Sequence, residues 1–263
     1  MLNEQTWERT TWKNPNIEFL FGANITEYDM RRAGLNLTKQ FHLLPEETIT
    51  MLEQMEKKAA DKKMGLIQRK DKEYAKKLLD AFKRAREWFI RSNNLTEDKI
   101  VCVKKDAIFT IDAYPSTTEQ GYIRFVPKNT YTSYFVLNKI EFFINTRTGV
   151  VDIKGLGQGE ELKRIRELHG NYILDFIVTF CKLREQAINP RYMVKWLTTF
   201  ITAYRKRELP IEYYRELDKG NSYSLYDSET DRYISVSDTN NKSDLDINKN
   251  YIQYVLPLAN LYI

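Results

Sequence analysis

The stretch "IVCVKKDAIFTI" at residues 100–111 sets two runs of strand-forming residues only three positions apart. Runs so rich in β-branched and aromatic side chains belong in a sheet, and so short a break between them predicts a hairpin. Lys104 and Lys105 suffice for a two-residue loop. Asp106 then reads either as an ordinary turn residue or as a carboxylate kept for chemistry.

The segments around this hairpin fix the fold class. Residues 16–29, "NIEFLFGANITEYD", read as two short extended runs joined by "GAN". In the second run Ile25, Glu27 and Asp29 alternate at period two, which puts both acids on one face. "LLPEETITMLEQMEKKAA" reads as a helix opened by Pro45 and two acids, followed by a basic break at "DKKMG". The next helix carries Tyr74, Leu78, Ala81, Phe82, Ala85 and Phe89 on one stripe, with Lys and Arg opposite, and ends at "SNN". After the hairpin, "GYIRFVP" and "SYFVLNKIEFFIN" read as strands, and "NTRTG" turns into "VVDIKG". A long amphipathic helix follows over 160–186, including Leu162, Ile165, Ile173, Phe176, Ile177 and Phe180. Pro190 opens another. The tail reads as a hairpin in "SYSLYDSETDRYISV", a polar loop over 237–250, and an apolar run, "YIQYVLPLANLYI". Runs of strands with segregated helices predict an α+β protein with a mainly antiparallel sheet.

Composition narrows the function classes. Aromatic residues make up 13% of the chain, too much apolar surface for a disordered protein. The N-terminal segment lacks a basic start followed by an apolar block, and no apolar run reaches the roughly twenty residues of a membrane span. A soluble, cytoplasmic protein with no membrane partner is expected. Cys102 and Cys181 lie far apart in apolar segments, and His42 and His169 have no partner at metal spacing, so neither a disulfide framework nor a zinc site is expected. The net charge is +5, yet residues 57–91 hold thirteen Lys or Arg against five Asp or Glu. That one segment carries net +8, and the remainder carries −3. Such a stripe suits a polyanion such as nucleic acid, or is simply a solvated helix face.

Asp29 ends a strand and Asp106 sits at a hairpin turn. If the two strands are neighbours, the carboxylates converge. Two adjacent carboxylates resist joint ionisation unless a cation lies between them, and magnesium suits such a pair because substrate phosphates and water complete its shell. Two ions so held serve phosphoryl transfer.

In this layout the sequence resembles the palm of a right-hand polymerase, nearest to family B DNA polymerases. There an Asp ends a palm strand, as Asp29 does in "ITEYDMRRAGLNL", and a second Asp lies in a hairpin of the pattern Tyr-Gly-Asp-Thr-Asp-Ser-Ile-Phe-Val. Asp106-Ala107-Ile108-Phe109 is similar to its Asp-Ser-Ile-Phe portion. "KNTYTSY" and "DIKGL" resemble the family's Lys-Lys-Arg-Tyr and Lys-Gly-Leu elements through Lys128, Tyr131 and Lys154. Lys104 replaces the first hairpin Asp, and the fingers motif Lys-x-x-x-Asn-Ser-x-Tyr-Gly has no counterpart.

The resemblance spans roughly residues 17–157 and implies a palm-like core over 1–158, with a basic, helical, fingers-like insertion near 40–95. It implies a helical thumb-like region over 159–263. It also implies a template-directed nucleotidyltransferase, DNA polymerase-like or primase-like, in which Asp29 and Asp106 are catalytic and hold two magnesium ions. Glu27 would be a third metal-site acid. Arg69, Lys70 and Lys72 would meet the nucleoside triphosphate, and Lys104, Lys105, Lys128, Tyr131 and Lys154 the primer or template. Gly34 stands where the aromatic that excludes ribose is expected, which implies weak sugar discrimination. The bland readings stay open beside these: Asp29 as a cap on the following helix, the lysines as exposed residues, Tyr131 as half-buried packing. The alternative function is a non-catalytic nucleic-acid-binding or assembly subunit of a viral replication or transcription complex, whose localisation would be the host cytoplasm.

Overall fold

The computed structural model describes residues 10–137, 140–154, 172–186, 189–210, 224–227 and 232–235. The start of the long helix expected at 160–171, the polar segment at 237–250 and the apolar run at 251–263 lie outside the described residues. The protein is α+β, with antiparallel strand pairing and six α-helices among the described residues. None of these helices is long and apolar enough to cross a membrane.

The chain divides into two compact units. The first comprises residues up to 18 and 23–131, the second residues 19–22 and 132–263. The division falls within two long strands, β2 (Phe19–Met30) and β6 (Ile123–Leu137).

In the first unit the strands run in the order β1 (Trp12–Lys13), β3 (Ile100–Val103), β4 (Ala107–Ile111), β2, β6, with β5 (Glu119–Gln120) on β6. β3 and β4 form the expected hairpin, pairing Val103 with Ile108 and Cys102 with Phe109. β4 also pairs with β2, setting Tyr28 opposite Ile108 and Asp29 opposite Ala107. Four helices follow β2: α1 (Ala33–Gln40), α2 (Glu46–Gln54), α3 (Lys57–Lys70) and α4 (Lys72–Ser92). The Asp71 carboxylate caps α4 by accepting from the Tyr74 N–H at 2.9 Å. The whole predicted stripe of α4 is buried. It joins Tyr28, Met30, Ile100, Val103 and Ile108 in one core, in which the Phe89 ring lies 5.4 Å from Tyr28 and 4.5 Å from Phe125.

Three element boundaries differ from the sequence reading. The helix expected to run from 43 to 60 breaks instead at Met55, whose extended backbone (ψ 150°) ends α2, and "DKKMG" lies inside α3. Local charge is no helix breaker, and Gly65 sits in open space where a Cβ would meet nothing within 4 Å. The two runs expected across "GAN" are one strand, which passes through Gly22 at φ +70°. The strand expected to stop at Pro127 continues as β6.

In the second unit, β6, β7 (Ile140–Asn145) and β8 (Val150–Lys154) form an antiparallel run. α5 (Tyr172–Glu185) and α6 (Pro190–Arg205) stack through Phe176 on Trp196, with ring centroids 5.0 Å apart. The Glu185 carboxylate accepts from the Ser133 and Thr146 hydroxyls, each at 2.6 Å. β9 (Ser224–Asp227) and β10 (Arg232–Ser235) pair as the expected hairpin. Cys102 and Cys181 are both buried and are not joined in a disulfide.

Candidate active site

The first unit brings Asp29 and Asp106 to one cavity. Asp29 closes β2 directly opposite Ala107, and the Met30 N–H donates to the Asp106 carbonyl at 2.8 Å, which locks the hairpin turn beside the strand end. The turn is closed by the Lys104 N–H donating to the Ala107 carbonyl at 2.8 Å. Its tip is therefore Lys105–Asp106, one position later than the Lys104–Lys105 loop expected, because register follows the apolar pairing of β3 with β4. Asp29 does not cap α1. That place belongs to Arg32, in the left-handed region at φ 45° and with no side-chain cap bond.

The cavity holds about 290 Å³ and is mostly polar. Its acids are Asp29, Asp61 and Asp106, and its cations Arg32, Lys57 and Lys105, with Gln68 beside them. Ala33, Gly34, Met64, Leu78 and Phe82 supply apolar lining. Gly34 packs tightly, since a Cβ there would meet Met64 Cε at 2.8 Å. The Lys105 ammonium lies over the Phe82 ring at 4.9 Å. Burial, then the facing charge of Asp29, pushes the Asp106 carboxyl above its ordinary range, against the opposing pull of Lys105 and Lys128.

Alternation along β2 sends Tyr28 and Met30 into the helix-side core and leaves Glu27 on the other face, with Asp29 near the strand end reaching both that face and the cavity. There Lys128 Nζ lies 3.2 Å from Asp29 Oδ2 and 3.7 Å from Glu27 Oε1. Burial works to lower its pKa, but Glu27, then Asp29 and Asp106, hold it above the ordinary lysine value. Glu27 is itself buried, and its Oε2 accepts from Asn129 Nδ2 at 2.7 Å and from the Tyr131 hydroxyl at 3.1 Å. Tyr131 is thus a buried support for Glu27, stacked on Phe109 with ring centroids 6.3 Å apart.

Arg69, Lys70 and Lys72 are exposed where α3 meets α4 and do not line the cavity. Lys154 lies in the second unit, opposite Glu141. Sequence reasoning missed Arg86, which is only 2% exposed and whose Nη1 donates to the Lys105 carbonyl at 2.8 Å. Burial lowers its pKa to about 10, with Asp106 opposing the fall. The available signal was its spacing: Arg86 lies four residues after Phe82 and three before Phe89, inside the apolar stripe rather than opposite it.

As a donor set, Asp29 and Asp106 suit an ion that takes one or two carboxylates and fills its remaining positions with water and substrate phosphates, as magnesium does. They do not suit a cage made wholly of protein. Among the described residues no three His, Cys, Asp or Glu side chains group to hold a metal, and Glu27 is engaged by Asn129, Tyr131 and Lys128.

These features define an α+β protein with a paired-carboxylate cleft beside an antiparallel hairpin. The chain belongs to the bacteriophage PBS1 gene 130 protein family, whose model matches residues 1–263, and is therefore a phage protein. No curated protein matches it.

Proposed function

We propose that the chain is a metal-dependent nucleotidyltransferase with a palm-like first unit, which extends nucleic acid from nucleoside triphosphates. One observation carries this reading: acids 77 positions apart in sequence line the same cavity, one from a strand and one from the turn of the hairpin beside it. The strand order β3-β4-β2-β6, which sets the Asp29 strand next to the Asp106 hairpin, supports this reading. Asp29 and Asp106 would hold magnesium, two ions in the full reading, which supplies charge stabilisation for the attacking and leaving oxygens of phosphoryl transfer. Arg32, Lys57 and Lys105 are placed to meet phosphate oxygens in the cavity, a part the sequence reading gave to Arg69, Lys70 and Lys72. The exposed lysines of α3 and α4, including Lys58, Lys62, Lys63, Lys76 and Lys77, suit the backbone of a primer or template.

Primer extension with magnesium and mixed nucleotides tests the proposal. Synthesis should vanish in Asp29→Ala and Asp106→Ala while nucleic-acid binding survives. Absence of synthesis by the wild-type chain, with and without primer, would leave the second reading, a non-catalytic binding or assembly subunit of a replication or transcription complex. That reading is favoured by Lys128, which already neutralises Asp29.

A further inference from the structure

We propose that Lys128 is a resident counter-cation of the paired-acid cleft, which must leave Asp29 before a divalent ion can be held there, and that Glu27 is the berth that receives it. The inference rests on the reading of Asp29 and Asp106 as a metal-holding pair.

The three groups differ in freedom. The Glu27 side chain is 3% exposed and fixed by two hydrogen bonds from Asn129 and Tyr131, so it is the stationary member. The Lys128 side chain is 50% exposed on a flexible four-carbon stem, so it is the member that moves. Asp29 lies between these extremes at 28%. The ammonium now sits 3.2 Å from Asp29 and 3.7 Å from Glu27, so a small swing exchanges one carboxylate for the other.

An ammonium and a divalent ion cannot share the Asp29 carboxylate cheaply. Magnesium binds oxygen at about 2.0–2.1 Å, and a like charge a few ångströms away is strongly repelled where water is partly excluded. With Lys128 on Asp29 one carboxylate of the pair is neutralised from within. With Lys128 on Glu27 both cleft carboxylates face the cavity. Glu27 is then a positioning residue and not a metal ligand. That role accounts for a buried carboxylate opposite Phe109, where an apolar side chain would avoid the cost of desolvating a charge.

The test uses Mn²⁺ alone as the probe, titrated calorimetrically into the full chain, with Mn²⁺-induced change in melting temperature as a second readout. Lys128→Met should bind Mn²⁺ about five- to tenfold more tightly than wild type. Its melting temperature should also rise more on Mn²⁺ addition. Glu27→Gln, which weakens the second berth, should bind more weakly than wild type. Equal or weaker binding by Lys128→Met overturns the inference. Should that variant not fold, Glu27→Gln with wild-type affinity overturns it instead. Asp29→Asn separates the two claims. Binding that is lost in Asp29→Asn yet unchanged in Lys128→Met sinks only the role of Lys128, whereas absence of binding in every protein sinks the metal site as well.

Discussion

Arg86→Met distinguishes a hairpin turn propped from below from one that stands by itself. The arginine is buried beneath the turn and donates to the Lys105 carbonyl at 2.8 Å. Methionine retains an unbranched apolar stem and removes the charge. Two opposing energies follow. Burial brings the guanidinium from 12.5 to about 10, so keeping it charged costs the fold about 3 kcal/mol, which the substitution relieves. Against that stands the loss of a charge-assisted hydrogen bond, about 1.5–3 kcal/mol. The two largely offset, so global stability should move by no more than about 1.5 kcal/mol, or roughly 3–6 °C in Tm. The local effect does not cancel, because the hairpin loses the donor to its Lys105 carbonyl. Amide exchange over residues 100–111 should quicken about 10- to 100-fold in the metal-free protein, with little change in α1 or α2. An unchanged hairpin together with a Tm fall beyond about 6 °C would refute the reasoning and make Arg86 a packing residue.

Asp106→Asn should raise metal-free stability at pH 7. Burial and Asp29 raise the folded carboxyl above its ordinary 3.8, so the folded state binds that proton more tightly than the unfolded chain. Stability is therefore lost as pH rises from the unfolded value through the folded one, and the asparagine variant escapes that loss. Its advantage in a thermal melt should shrink below about pH 4, and a variant less stable at both pH values would show that the carboxylate is net stabilising. Gly34→Ala should keep Tm within about 2 °C, since helix propensity offsets a shift of the Met64 methyl. Gly34→Leu should cost about 1–3 kcal/mol by overpacking the same spot, measured by denaturant unfolding, and equal stability of the two variants contradicts the tight contact. Burial pushes the Cys181 thiol well above its usual range, and Cys102 is buried too. Neither should react with an aromatic disulfide reagent until denaturant is added. Rapid native labelling would show that one of them is accessible.

Much of the first unit was legible because its signals are local. The stripe from Tyr74 to Phe89 is periodic over a whole helix, and the runs flanking "KKD" leave little choice but a hairpin. The nearness of Asp29 and Asp106 followed once β2 was placed next to β4. What escaped depends on partners distant in sequence. Nothing local marks Met55 as the end of α2, and Gly22 and Pro127 look like strand breakers until neighbouring strands fix their backbone. Arg86 hid in a run of cations because its burial is decided by the turn above it. Lys128 and Tyr131 were read as nucleic-acid contacts, and nothing local showed that β6 also turns both toward Glu27, a residue about a hundred positions away.

The central claim is that Asp29 and Asp106 jointly hold a divalent ion in the cavity beside the hairpin. Anomalous diffraction from a crystal soaked in Mn²⁺ and a non-hydrolysable nucleoside triphosphate addresses it directly. The expected result is a peak within ligand distance of both carboxylates, with the phosphates toward Arg32, Lys57 and Lys105. A cleft without such a peak, Lys128 still bridging Asp29 and Glu27 at saturating Mn²⁺, would contradict it.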